Sequence, residues 1–273
     1  MLKNSKIKDY PIGVFDSGLG GLTVLKKILK LVPGYHYIYL GDTARVPYGD
    51  KSPAIIYQYV IEAVEFLFKK NCRLVIIACN TASAQALRKL QQEWLPSHYP
   101  QHRVLGVIRP LAEAAAKQPA GKRIGVIGTK ATINSQSYNL EIKHLNSSLK
   151  VIGQSAPLLV PLIEDGHANK PETNLILRDY LKPLKKIDVL ILACTHYPYL
   201  QAQIKKIMGP TVTVPDTGQL VAKSLKDYLI RHKVLANQTT KVEFYTTDNP
   251  ESFKKLAEKF LSSKIKKIEK IKL

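Results

Sequence analysis

Short apolar runs rich in β-branched residues alternate with stretches of helical periodicity along most of the chain. That alternation is the pattern of a parallel sheet covered by helices, and it predicts the α/β class. Buried strands are predicted at 11–15, 36–40, 74–78, 103–107, 123–127, 150–153, 189–193, 212–214 and 241–245. Helices are predicted at 22–31, at 52–70 and from Thr81 towards Trp94. The second opens on Ser52-Pro53, an N-cap residue followed by a proline at the first helical position.

The pattern repeats. Ile12-Gly13-Val14-Phe15-Asp16-Ser17-Gly18 is echoed by Ile124-Gly125-Val126-Ile127-Gly128-Thr129, 112 residues later. Val75-Ile76-Ile77-Ala78-Cys79-Asn80-Thr81 is echoed by Leu190-Ile191-Leu192-Ala193-Cys194-Thr195-His196, 115 residues later. Two nearly equal offsets point to two similar domains, each a mainly parallel sheet flanked by helices. The first is expected to comprise residues 1–104 plus 217–273, with Asp16 and Cys79, and the second residues 105–216, with Cys194 and His196. Ligands bind at the carboxyl ends of parallel strands, so an active site in the cleft between the domains is expected.

Composition narrows this little. With 273 residues, 45% hydrophobic and 23% charged, the chain is an ordinary globular protein. No apolar stretch reaches the roughly 18–20 residues that cross a bilayer, and the polar opening lacks the apolar core of a secretory leader. A cytoplasmic protein without a membrane partner is expected. The net charge of +20 fits a nucleic-acid module, an anionic membrane surface or small anionic ligands. No zinc-finger, recognition-helix or aromatic RNA-binding signature accompanies it, so nucleic acid is not expected. The lysines of the tail, Lys264, Lys266, Lys267, Lys270 and Lys272, alternate with isoleucines and read as one solvated face.

Three cysteines without C-x-x-C spacing exclude a disulfide framework and a structural zinc site, so any role is that of a thiol. Cys79 ends a predicted strand where a helix begins, and the helix dipole there is expected to lower its pKa from about 8.5. Taken singly, a cysteine at that place also reads as a small apolar residue closing a buried strand. Cys194 occupies the same place in the second half, and packing has no need to repeat a thiol. Two thiols facing one cleft suit a two-sided reaction, in which one removes a proton from a tetrahedral carbon and the other returns one to the opposite face. Cys72 has no counterpart and is assigned to packing. Asp16, in the glycine-rich turn Asp16-Ser17-Gly18-Leu19-Gly20-Gly21, reads equally as a functional group or an Asx turn. His196 reads as a partner of Cys194 or as a satisfied rim histidine. The turn lacks both the P-loop lysine and the dinucleotide spacing.

Four segments together, Gly13 to Leu22, Tyr39 to Gly49, Ala78 to Ser83 and Leu192 to Pro198, resemble the cofactor-independent glutamate racemases of the aspartate/glutamate racemase family. The resemblance implies that Cys79 and Cys194 are the paired acid and base, with Asp16 and His196 supporting them. Glu164 matches a further acidic position. It also implies that Asp16, Ser17, Tyr48, Gly49, Asn80, Thr81, Thr195 and His196 hold the amino acid, with Thr129 as an extra contact. No cofactor, no metal, a homodimer and supply of D-glutamate to peptidoglycan synthesis are implied likewise. Tyr48-Gly49 also reads as a plain loop, and Asn80 and Thr81 as a helix cap. Arg109-Pro110 and the segment Val214-Pro215-Asp216-Thr217-Gly218 depart from the family pattern, leaving the hinge and any allosteric site open. A racemase of another acidic amino acid, or an inactive relative, remains as an alternative.

Overall fold

The computed structural model describes residues 10–234, 236 and 240–273. The opening residues 1–9, read above for a leader, lie outside the described part. Among the described residues nine strands are found: β1 (Ile12–Asp16), β2 (His36–Gly41), β3 (Leu74–Ile77), β4 (Arg103–Gly106), β5 (Arg123–Gly128), β6 (Lys150–Ser155), β7 (Val189–Ala193), β8 (Lys241–Thr246) and β9 (Glu269–Lys270). They form a six-stranded sheet, ordered β4-β3-β1-β2-β8-β9, and a three-stranded sheet, ordered β6-β5-β7. Every pairing is parallel. The class is therefore α/β, as the alternation of periods required.

The sequence repeat is visible as topology. β1 lies between β3 and β2, and β5 lies between β7 and β6, so the strands ending at Cys79 and Cys194 occupy equivalent places beside equivalent central strands. Alternate residues of each strand feed opposite faces. Val14, Tyr39 and Ile76 enter one core of the first sheet, and Phe15, Ile38 and Ile77 the other. Two further cores cover the second sheet in the same way. Buried strands between helical layers leave their carboxyl ends as the open edge of each sheet.

Local chemistry explains the helix starts. Ser52 accepts from the Ile55 amide and Pro53 opens the helix Pro53–Lys69, whose buried stripe is Ile56, Val60, Ala63, Val64 and Leu67. The helix Asn80–Lys89 continues through a π-turn, Leu90–Trp94, into Leu95–His98. Asp216 caps the helix Thr217–Arg231 and bonds the ammonium of Lys27 at 2.5 Å. That helix buries Val221, Ala222, Leu225 and Leu229 in the first half's core.

One expectation changes and one element is added. The run 212–214 is no strand: Thr213 makes one isolated parallel bridge to Val189, and Pro215 carries no N–H to extend it. The tail adds the two-residue β9, paired with Tyr245 and Thr246. Its lysines point to solvent while Ile265 is buried in the core. Among the described residues no helix is long and apolar enough to cross a membrane.

Candidate active site

Each cysteine stands at a strand's carboxyl end because the backbone must leave the sheet there. Cys79 follows β3 and is the N-cap of the helix Asn80–Lys89, its sulfur 3.5 Å from the Ala82 amide. Cys194 follows β7 directly. Both line one cavity of about 250 Å³. Its walls also carry Ser17, Tyr48, Gly49, Asn80, Thr81, Thr129, Glu164, Thr195 and His196. Asp16 lies behind this wall, wholly buried at the end of β1.

The two turns meet across the sheets by close contact. A Cβ at Gly20 would lie 2.3 Å from Thr195 Oγ1 and 2.6 Å from His196 Nδ1, so only glycine admits the second half's turn there. Gly49 is held in the same way, its missing Cβ 3.0 Å from Thr129 Cβ. The Thr195 hydroxyl donates to Asp16 Oδ1 at 3.4 Å, and the Gly18 amide donates to Asp16 Oδ2 at 3.0 Å. Thr81, Thr129 and Thr132 form a hydroxyl cluster, with Thr81 Oγ1 2.9 Å from Thr129 Oγ1.

The surroundings of the sulfurs differ. Burial, then the Asp16 carboxylate, push the Cys79 thiol up to about 12, against Ser17 Oγ at 3.4 Å and the Ala82 amide, which favour the thiolate. The helix-dipole expectation of a lowered pKa is thus overturned, because desolvation of a buried anion outweighs one cap. Cys194 faces an imidazole instead: its sulfur is 3.9 Å from His196 Nδ1, while His196 Nε2 lies 2.9 Å from Glu164 Oε1. Burial disfavours the imidazolium, yet the sulfur of Cys194 and the Glu164 carboxylate outweigh it and raise His196 to about 10. Asp16 is raised by burial, with His196 opposing.

Tyr48 lines the cavity, but its hydroxyl donates to Asp42 Oδ2 at 2.5 Å and is turned from the space. Asn80 has its Oδ1 occupied by the Tyr138 hydroxyl at 2.5 Å, while its buried Nδ2 has no partner among the described residues. Lys130, on the wall beside Thr129, and the segment around Val160 and Pro161 were not singled out from the sequence, and Val46 and Pro47 were there only as part of the segment Tyr39 to Gly49. Only for Lys130 did a signal exist, its place directly after the repeat of the Asp16 turn. Tyr138 gave none. The departing pair Arg109-Pro110 lies outside this cavity, with Arg109 on Glu113 and Glu141.

Cavity, thiols and donors suit the handling of a small anionic molecule from two sides. Comparison with known proteins bears on which. The profile described as Asp/Glu/hydantoin racemase matches residues 12–225. A glutamate racemase of Chlorobaculum parvum is 42% identical over 263 residues, covering 95% of each chain. Among solved structures, a glutamate racemase isoform of Bacillus anthracis superposes with a TM-score of 0.91 at 38% identity, over 97% of this chain and 98% of that one. The glutamate racemase of Francisella tularensis, solved in complex with D-glutamate, gives a TM-score of 0.87 at 35% identity, over 97% and 98%.

Proposed function

The chain belongs to the Asp/Glu/hydantoin racemase family, and we propose that it interconverts L- and D-glutamate by a two-thiol acid–base mechanism without a cofactor. One observation carries the reading: Cys79 and Cys194, brought by equivalent strands of two sheets, line the same cavity. As a thiolate, one sulfur takes the α-proton, so that a C–H bond breaks and an S–H bond forms. The other thiol then gives its proton to the opposite face of the carbanion, and the configuration inverts. The reverse reaction exchanges their roles.

The α-proton is a very weak acid, so the site must stabilise negative charge spreading into the carboxylate. Preorganised donors do this best where water is excluded. The unpaired Nδ2 of Asn80, Lys130, and amides of the strand–helix turns are the donors this cavity offers. His196, held by Glu164, places a positive charge beside Cys194. Asp16 acts from behind, through Thr195 and as a negative charge near Cys79. Ser17, Thr81 and Thr129 complete the polar wall, with Tyr48 and Gly49 closing it by ring and backbone.

On this reading the functional units are residues 1–104 plus 217–273 and residues 105–216, closing on the substrate as a cytoplasmic homodimer that supplies D-glutamate for peptidoglycan. The test is polarimetry of the purified protein with L- and with D-glutamate, without pyridoxal phosphate and with aspartate in parallel. Both glutamate enantiomers are expected to converge on the racemate. Loss of rotation from aspartate alone would overturn the assignment of substrate.

A further inference from the structure

The halves brace each other in a crossed pattern. The helix Leu22–Leu31 follows β1 and its turn, and its Thr23 hydroxyl reaches out of the first half to the second half's cysteine turn. Thr23 Oγ1 lies 2.9 Å from the carbonyl oxygen of Thr195 and 2.8 Å from that of Gly20, sharing one proton between them. In the second half a short helix, Lys130–Asn134, comes first after β5; the helix Ser137–Leu145 follows it, still before β6, and its Tyr138 reaches back to the first half's cysteine turn. There its hydroxyl donates to Asn80 Oδ1 at 2.5 Å. Thr195 follows Cys194, and Asn80 follows Cys79. Each thiol's turn is therefore tied, one residue beyond the sulfur, by a hydroxyl from the helix of the opposite half.

Both ties act on a part of the turn whose orientation matters to chemistry. A carbonyl held by Thr23 fixes the peptide plane between Thr195 and His196, hence the approach of the imidazole to Cys194. Asn80 held by its oxygen is denied the flipped amide, so that Nδ2 is kept as a donor next to Cys79. Tyr138 is itself buried, and its proton has no competing acceptor recorded among the described residues.

We propose that Thr23 and Tyr138 are reciprocal positioning residues, Thr23 setting the Cys194 turn and Tyr138 the Cys79 turn, each from the half that does not carry the thiol. This rests on the two-thiol reading. Its consequence is sidedness: loss of either hydroxyl impairs proton transfer at one sulfur only.

The enantiomers of glutamate have equal free energy, so kcat/KM must be the same in both directions for any variant and cannot report a side. The primary isotope effect on kcat/KM with α-deuterated L- and D-glutamate can. In Thr23→Val, transfer at Cys194 becomes more limiting. The isotope effect then rises in the direction in which Cys194 removes the deuteron and falls in the direction in which Cys79 does. Tyr138→Phe gives the opposite pair of shifts. Each variant is expected to lose about tenfold in kcat/KM, the worth of a single hydrogen bond that holds a reacting group in place. Thr23→Ser keeps the hydroxyl and retains the wild-type isotope effects. Folding is checked by thermal melts, with Thr23→Ala replacing Thr23→Val if the latter does not fold.

Shifts in the same direction for both variants, no shift in either, or a Thr23→Ser that behaves like Thr23→Val would overturn the proposal. A wild-type protein that neither racemises glutamate nor exchanges its α-proton with solvent would instead remove the two-thiol reading beneath it.

Discussion

The two cysteine turns descend from the same repeated segment and sit at equivalent strand ends, yet their electrostatics are unlike. Around Cys79 the partners are a hydroxyl, an amide and, further off, the buried Asp16 carboxylate; burial and that carboxylate hold the thiol protonated. Around Cys194 stand an imidazole and the Glu164 carboxylate that supports it. Equivalent backbone therefore places two sulfurs at matching strand ends, while side chains that differ between the repeated segments, Asp16 and Ser17 by one and His196 with Glu164 by the other, set their surroundings apart. A reaction between mirror-image substrates needs the first property and tolerates the lack of the second, because the two half-reactions need not share one mechanism of activation.

The sharpest way to break this comparison is to remove the sulfurs in turn. Cys79→Ser and Cys194→Ser are each expected to lose at least about 10³-fold in racemisation measured by polarimetry, since a serine hydroxyl is far too weak an acid to replace a thiol in general acid–base transfer. Retained turnover in either variant would show that the two turns are not both used. Next is the contact between them. Gly20→Ala forces a methyl group into Thr195 and His196 and is expected to cost about 10²-fold in kcat/KM, whereas Gly49→Ala, meeting only Thr129 at 3.0 Å, costs a few-fold. Equal losses would mean that the Cys194 turn is no more tightly held than the rim.

Glu164→Gln tests the asymmetry itself. Removing the carboxylate lowers the His196 pKa from about 10, so the alkaline limb of the pH–rate profile moves to lower pH, with a loss of about tenfold near neutrality. The sign for stability follows from linkage. A histidine raised above its ordinary 6.5 contributes stability that is complete below pH 6.5 and is lost as pH rises through about 10. The gap in melting temperature between wild type and Glu164→Gln should thus be widest below pH 6.5 and close towards pH 10. An unchanged profile would detach Glu164 from the Cys194 turn. The smallest effect is expected for Ser17→Ala, which removes one hydroxyl 3.4 Å from the Cys79 sulfur and should cost about threefold in kcat/KM.

Much of this architecture was legible before any coordinates. Residues 22–31 and 189–193 form the helix and strand predicted, because a continuous apolar period dictates both ends. The run 212–214 misled because three apolar-flanked residues carry strand propensity whether or not a neighbour can pair with them, and Pro215 stops the ladder after one rung. Tyr48 lines the cavity, but its hydroxyl is turned to Asp42, which is held by the nearby Arg45 and by Thr247, 205 residues away, a partner no local pattern could show. Lys130 was marked only by its place after the repeated turn, and Tyr138 by nothing local, since it matters only through Asn80 opposite.

Alternating periodicity and an internal repeat are local properties of the chain, so the sequence by itself determined the α/β class, the doubling of the architecture and the strand-end location of both cysteines. Proton affinities and hydrogen-bond partners depend on distances between residues far apart in sequence, such as Asp16 with Thr195 or Tyr138 with Asn80. Those distances, and the burial that turns a dipole-stabilised thiolate into a protonated thiol at Cys79, exist only once the two sheets are set against each other, and so only the tertiary structure decided them.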